Sequence, residues 1–455
     1  MAATLGAFIT PFVLSSLTVA LPNIGREFSL SAVELGWVST AYLLTTGAFL
    51  VPFGSVADRY GRKRVFIVGM VIVVISSGLS ALAPSYGWLL VARSFQGLGA
   101  AMTFSTMTAI LTAVYGPGER GRVLGINVAA VYIGLSVGPV VGGLMTERLG
   151  WRSVFAVPLA MSLVVLGFVL RSVKHEWVEP RAGRFDYAGA AVYAVGLVAL
   201  MWGLSRLPGT IGGLVTAAGV LLLVIFAWWE TRVAQPAMNI DLFRRNRIFA
   251  LSNLAAFTNY AATFAASFLL SLYLQYARGF SPEEAGLLLI FQPALMAILS
   301  PWAGRLSDRI EPRVVVSTGM GFTVVGLGLL AFLHQSTPIW YLILTLCLLG
   351  VGFALFSSPN TNTVMSSVER RFLGVASATL GTMRILGQMF SMALAMLVFA
   401  LYLGPVEAKD ADPLALTAGI ALVFGIFAVV CIVGLLASMA RGTMHGEDEI
   451  AEQQN

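Results

Sequence analysis

The sequence predicts an all-α integral membrane protein with fourteen spanning helices. Three observations predict it: the composition, a succession of long apolar runs, and the placement of the basic residues. Of 455 residues, 58% are hydrophobic and only 11% charged. A water-soluble domain carries about 25% charged residues, so this chain lacks the polar surface that water requires. A helix needs about 20 largely apolar residues to cross the hydrocarbon core. Fourteen such runs are legible, at 3–22, 35–56, 64–83, 88–113, 123–146, 152–171, 187–204, 210–229, 248–275, 285–303, 313–333, 338–362, 374–402 and 413–439. No alternating ten-residue strands of the outer-membrane barrel kind are visible.

The first run has no basic segment ahead of it and is long, so it reads as an uncleaved spanning helix rather than a secretory signal. With both termini inside, the inner loops hold 20 of the 28 Lys and Arg residues and the outer loops hold 6. That bias sets the orientation in an inner, cytoplasmic membrane. The basic clusters Arg59/Arg62/Lys63/Arg64, Arg171/Lys174/Arg181/Arg184 and Arg244/Arg245/Arg247 read as anchors beside anionic lipid, not as a nucleic-acid surface.

Nothing points to an enzyme. Cys347 and Cys431 lie inside apolar runs and behave as small hydrophobes. The three histidines, His175, His334 and His445, have neither metal-ligand spacing nor a nucleophile beside them. Gly319-x-Gly321-x-x-x-x-Gly326 falls within the eleventh run, so it is no phosphate loop. No cofactor and no metal are expected.

The chain repeats itself at a spacing of 250 residues. Gly54-Ser-Val-Ala-Asp58-Arg59 recurs as Gly304-Arg-Leu-Ser-Asp308-Arg309, and Glu119-Arg120 as Glu369-Arg370. A Leu-Gly pair follows each time, Leu124-Gly125 and Leu373-Gly374, one residue out of step. The expected organisation is an N-terminal six-helix half (1–175) and a C-terminal six-helix half (248–440), related as a parallel repeat. Between them, residues 176–247 form a linker with an inserted spanning hairpin at about 187–229. Twelve helices with a soluble central loop would be the alternative, but 187–204 and 211–229 are nearly free of charge. Residues 441–455 form a polar, acidic cytoplasmic tail, read as disordered.

Three motifs carry mechanism. In Gly54-x-x-x-Asp58-Arg59-x-Gly61-Arg62-Lys63-Arg64, the glycines permit a tight turn and close helix approach, and the charges suit a gate that opens and closes. Leu90-x-x-Arg93-x-x-Gln96-Gly97-x-Gly99-Ala100-Ala101 places a cation in an apolar stretch, about 8 Å from the outer helix end. Arg93 reads either as a functional cation or as one that snorkels to the surface. Gly134-x-x-x-Gly138-Pro139-x-x-Gly142-Gly143 offers close packing and a bend, or a generic packing face. Arg384 lies about 15 Å from the inner end of its helix, with Gln388 one turn on.

These motifs resemble those of the major facilitator superfamily. The resemblance covers nearly the whole chain, and fourteen helices are similar to the larger of its two drug:proton antiporter families. It implies two repeats rocking about a central cavity, with the hairpin at the periphery. By the same resemblance, Gly54, Asp58, Arg59, Gly61, Arg62, Asp308 and Arg309 form gating loops. Arg93 is linked to proton transfer, and Gly134, Gly138, Pro139, Gly142 and Gly143 form the motif that separates exporters from importers. Trp37, Tyr42 and Trp151-Arg152 also look familial.

One departure matters: Val13-Leu-Ser-Ser-Leu-Thr18-Val-Ala20-Leu21-Pro22 lacks the acid that the family commonly carries in its first helix. None of the 22 carboxylates falls mid-membrane, and Glu34 and Asp58, near the helix ends, come nearest. The coupling and substrate candidates are Arg93, Arg384, Gln96, Gln388 and Glu34. Further polar candidates for a cavity wall are Tyr132, Asn253, Asn259, Tyr260, Gln292, Asn360 and Asn362, each equally fit to bond helices together. The expected function is proton-coupled export of small amphipathic compounds by a monomer in the bilayer. Solute uptake and a non-transporting membrane sensor are the alternatives.

Overall fold

The computed structural model describes residues 2–114, 117–172, 176, 186–233, 240–307, 309–369, 373–404 and 406–442. Among the described residues the named elements are all helical. In chain order the elements are α1 (Ala2–Phe28), α2 (Ala32–Tyr60), α3 (Arg62–Ala81), α4 (Tyr86–Val114), α5 (Pro117–Leu149), a 3-10 turn (Trp151–Phe155) and α6 (Ala156–Ser172). The hairpin follows as α7 (Tyr187–Ser205) and α8 (Thr210–Glu230), then a short α9 (Ile240–Arg245). The rest comprises α10 (Arg247–Thr263), α11 (Ala266–Leu272) with a π turn (Tyr273–Ala277), α12 (Pro282–Leu289), α13 (Phe291–Ser307), α14 (Pro312–Leu330), α15 (Ile339–Ser366), α16 (Leu373–Tyr402) and α17 (Pro413–Ala440). The ninth expected run is thus divided between α10 and α11, and the tenth between α12 and α13.

Thirteen segments among the described residues are long and apolar enough to cross a membrane. The remaining expected span is α4, a 29-residue helix whose last turns lie partly outside the residues described at side-chain level. Helix starts are set by side chains. Ser31 accepts from the Glu34 backbone N–H while the Glu34 carboxylate accepts from Ser31, a reciprocal cap repeated by Ser281 and Glu284 on α12. Between α2 and α3, Gly61 has φ +114°, a backbone conformation that favours glycine.

By contact, the chain forms two compact units that do not coincide with the sequence halves. The first comprises 1–237, 267–290 and 392–419, and the second 238–266, 291–391 and 420–455. Within the first, α1 packs on α5, α3 on α4 and α2 on α4, and α7 packs on α8 and α2. The hairpin is closely wound: Gly219 lies against the Leu200 backbone and Gly203 against Thr216. Its outer side stays bare, with Leu214, Leu221, Val224 and Trp228 more than half exposed, as a lipid-facing helix requires. Within the second unit, α14 and α13 pack on α15.

Candidate functional site

Arg93 is fully buried, with no exposed surface, so it does not snorkel. Its Nε donates to the Val38 carbonyl of α2 at 3.1 Å and its Nη1 to Gln96 Oε1. Gln96 Nε2 donates in turn to Ser77 Oγ of α3 at 2.9 Å. The guanidinium sits 4.6 Å from the centre of the Tyr42 ring, in cation–π range. Nη2 has no hydrogen-bond partner. Helices α2, α3 and α4 thus converge on one cation, and Gly97 against the Tyr42 carbonyl lets α4 come that close to α2.

In the 58–64 loop, Arg62 Nε meets Asp58 Oδ1 at 2.8 Å. Glu176 follows α6 and ties this loop down: it accepts from the Lys63 backbone N–H at 2.9 Å and lies 3.7 Å from Arg64. Arg59 is exposed over the ring of Tyr60. Of the repeat, Gly304 lies against Ser358 and Arg309 is exposed. Asp308, Arg370 and tail residues 443–455 lie outside the described residues, as do the side chains of Glu119, Arg120, Leu124 and Gly125.

The α5 motif presents two faces. Gly134, Gly138 and Gly142 form a stripe at helical spacing against α1, facing the Phe8 carbonyl, Ser15 and the Ser16 backbone respectively. Gly143 faces the Pro282 carbonyl of α12, while the Pro139 carbonyl fills the space beside Gly286. Glu283 extends this contact, donating its backbone N–H to Glu147 at 3.0 Å and pairing with Arg148 at 3.7 Å.

A second seam joins α1 to α11 and the π turn. Pro22 has no N–H, so the Thr18 carbonyl one turn earlier lacks its helical donor; Ser271 Oγ supplies one at 2.9 Å. Gln275 Nε2 donates to the Val19 carbonyl at 2.9 Å and the Tyr276 hydroxyl to the Pro22 carbonyl at 2.7 Å. π turns insert a residue and re-aim side chains, and they concentrate at functional sites.

In the second unit, Arg384 is half-buried on α16. Its Nη2 donates to Thr361 Oγ1 of α15 at 2.7 Å, and its guanidinium stands 5.7 Å from the centre of the Tyr260 ring on α10. Nε has no partner. Gln388, one turn on, is also half-buried. Asn360 bonds helices together: its Nδ2 donates to the Ser252 carbonyl, and its Oδ1 accepts from Arg441 at 3.1 Å. Asn253 and Asn259 are fully buried, Tyr132 and Gln292 are buried, and Asn362 is exposed.

The Major Facilitator Superfamily model matches residues 3–231 and 253–453. The chain belongs to that superfamily. It is 34% identical over 412 residues to the multidrug resistance protein Stp of Mycobacterium tuberculosis, covering 89% of this chain and 76% of Stp. It is 28% identical over 380 residues to the riboflavin transporter RibZ of Clostridioides difficile, covering 84% and 83%. Its fold is similar to that of the peptide transporter POT crystallised with alafosfalin, at a TM-score of 0.68 and 16% identity over 96% of this chain and 93% of that one. These are transporters, not enzymes.

Several features of this major facilitator chain escaped sequence reasoning. Arg441, placed in the tail by composition, is 2% exposed and anchored to Ser252 and Asn360. Glu27 receives both Nη atoms of Arg152, at 2.8 and 2.6 Å, and the Trp151 indole N–H at 2.7 Å, which gives the Trp151-Arg152 pair its role. Glu34, a coupling candidate, sits in a cap with its carboxylate on Ser31 at 2.8 Å. Among the described residues every carboxylate lies within about one turn of a helix end or in a loop. Of the two seams, only the one at α5 was signalled in advance, by Gly134-x-x-x-Gly138-Pro139-x-x-Gly142-Gly143.

Proposed function

We propose that this protein exports small amphipathic compounds from the cytoplasm in exchange for protons, by alternating access, as a monomer with both termini cytoplasmic. The observation that carries the reading is the two-faced α5 motif. One face is locked to α1, and the other meets α12 through glycines against backbone carbonyls, closed at the helix end by Glu147 and Arg148 on Glu283. Contacts of that kind seal closely and separate without breaking an interdigitated apolar core, which is what a gate requires. The Ser271, Gln275 and Tyr276 hydrogen bonds to α1 carbonyls belong to the same closure. Asp58–Arg62 and its repeat at Asp308–Arg309 serve the opposite gate. Arg93, buried beside Tyr42 and bonded to Gln96, serves proton coupling.

The likeness to a multidrug resistance protein supports a broad substrate range. The likeness to a riboflavin transporter favours a second reading, movement of a single solute inward. Purified protein in proteoliposomes with an interior pH dye separates the two. Under an imposed pH gradient, export predicts that added amphiphiles release protons against their own movement. Substrate and protons moving in the same direction would support uptake, and substrate flux with no proton movement would remove antiport.

A further inference from the structure

The second unit holds a cation for which the described protein supplies no counter-charge. Arg384 lies 11 residues into α16, about 17 Å from its start. Its side chain reaches back to Thr361 rather than out of the helix end, because helical side chains point towards the N-terminus. In this unit Glu311 and Glu369 stand outside α14 and α15, and Asp241 belongs to the short α9, not to the helices around Arg384. A guanidinium has five N–H donors in a planar fork; here Nη2 is used by Thr361 and Nε is free.

The surround is aromatic. Tyr260 lies beneath the guanidinium, perpendicular to Phe353 with centroids 5.3 Å apart, and Phe257 and Phe390 stand 5.7 Å apart beside it. Gly387 brings the helices together: a Cβ there would lie 2.5 Å from the Phe257 carbonyl and 2.9 Å from Tyr260 Cβ. Arg384, Tyr260, Phe257 and Phe390 are all half-buried, and the unpaired Nε is enclosed by protein.

We infer that Arg384 and these aromatic rings form an anion subsite for planar aromatic compounds carrying one carboxylate or similar oxyanion. The free side of the fork matches a carboxylate, Thr361 fixes its orientation, and the rings take the flat apolar body. The inference rests on the export reading for the fate of the bound compound, but binding itself is independent of flux.

The test is binding to full-length purified protein in detergent, by titration calorimetry with 2-naphthoate and its neutral isostere 2-naphthamide. The wild type should bind naphthoate about tenfold more tightly, a preference that weakens with salt. Arg384→Gln should remove that preference, lowering naphthoate affinity about tenfold and naphthamide affinity far less. Arg384→Lys should keep the charge preference in reduced form, and it serves if the Gln variant gives no thermal unfolding transition. Equal affinities in the wild type, or a preference that survives Arg384→Gln or vanishes in a folded Arg384→Lys, would overturn the subsite. Naphthoate preference without flux would leave the subsite standing and defeat export; proton-coupled flux without preference would do the reverse.

Discussion

The two repeats share a frame and differ in what they put inside it. In the first, Gly69 of α3 and Gly99 of α4 meet, a Cβ on Gly99 falling 2.7 Å from the Gly69 carbonyl. In the second, Gly319 of α14 and Gly352 of α15 meet in the same way, again at 2.7 Å. Gly54 faces Ser105 just as Gly304 faces Ser358. Carried along that correspondence, Ser77, Arg93 and Gln96 fall on Leu327, Leu346 and Leu349, all six at 2% exposure or less. On the paired helices α5 and α16, Gly138 corresponds to Gly387, while Leu135 and Pro139 correspond to Arg384 and Gln388. The crossing is retained because only glycine permits it. The polar groups are not, because a buried guanidinium is costly and persists only where it has work to do.

The comparison breaks most completely at the frame. Gly99→Leu and Gly352→Leu each drive a side chain into a backbone carbonyl that cannot retreat. Both should abolish monodisperse protein on size exclusion, and to the same extent. A folded variant in one half only would show that the crossings are not equivalent. The next effect concerns the filling. Arg93→Leu alone leaves the buried Gln96 Oε1 without its donor and should cost about 3 kcal/mol. Ser77→Leu/Arg93→Leu/Gln96→Leu, which gives the first half the second half's leucines, should recover at least half of that loss in thermal melting.

Smaller again is Gly143→Val, which presses on Pro282 and should cost about 1–3 kcal/mol. Hydrogen exchange should quicken in α12 and remain unchanged in α14. The smallest is Glu27→Gln: this half-exposed pair with Arg152 should contribute no more than about 1 kcal/mol, a shift of about one degree in the melting midpoint.

The fold was legible because the bilayer imposes it: long apolar runs and a basic side are written in composition, and the repeat in Gly54/Gly304 and Asp58/Asp308. The breaks within the ninth and tenth runs were not legible, since the π turn at Tyr273–Ala277 has no composition of its own. Arg93 and Arg384 stood out as cations in apolar runs, yet burial separates them, and burial depends on neighbours such as Val38 and Tyr260 that lie far away in sequence. Arg441 was lost to the tail because only its contacts with Ser252 and Asn360 distinguish it from a solvated arginine. Glu34 drew attention as an acid near the membrane, and the capping box that occupies it was written in Ser31-x-x-Glu34.

The central claim is that transport depends on the polar groups that break the symmetry, not on the frame. The most direct measurement is proton-coupled flux in proteoliposomes by the folded Ser77→Leu/Arg93→Leu/Gln96→Leu protein, whose first half carries the second half's leucines. The account predicts loss of flux by at least about 100-fold, the scale of a lost proton-transfer group, with the melting transition still cooperative. Wild-type flux from that protein would contradict it.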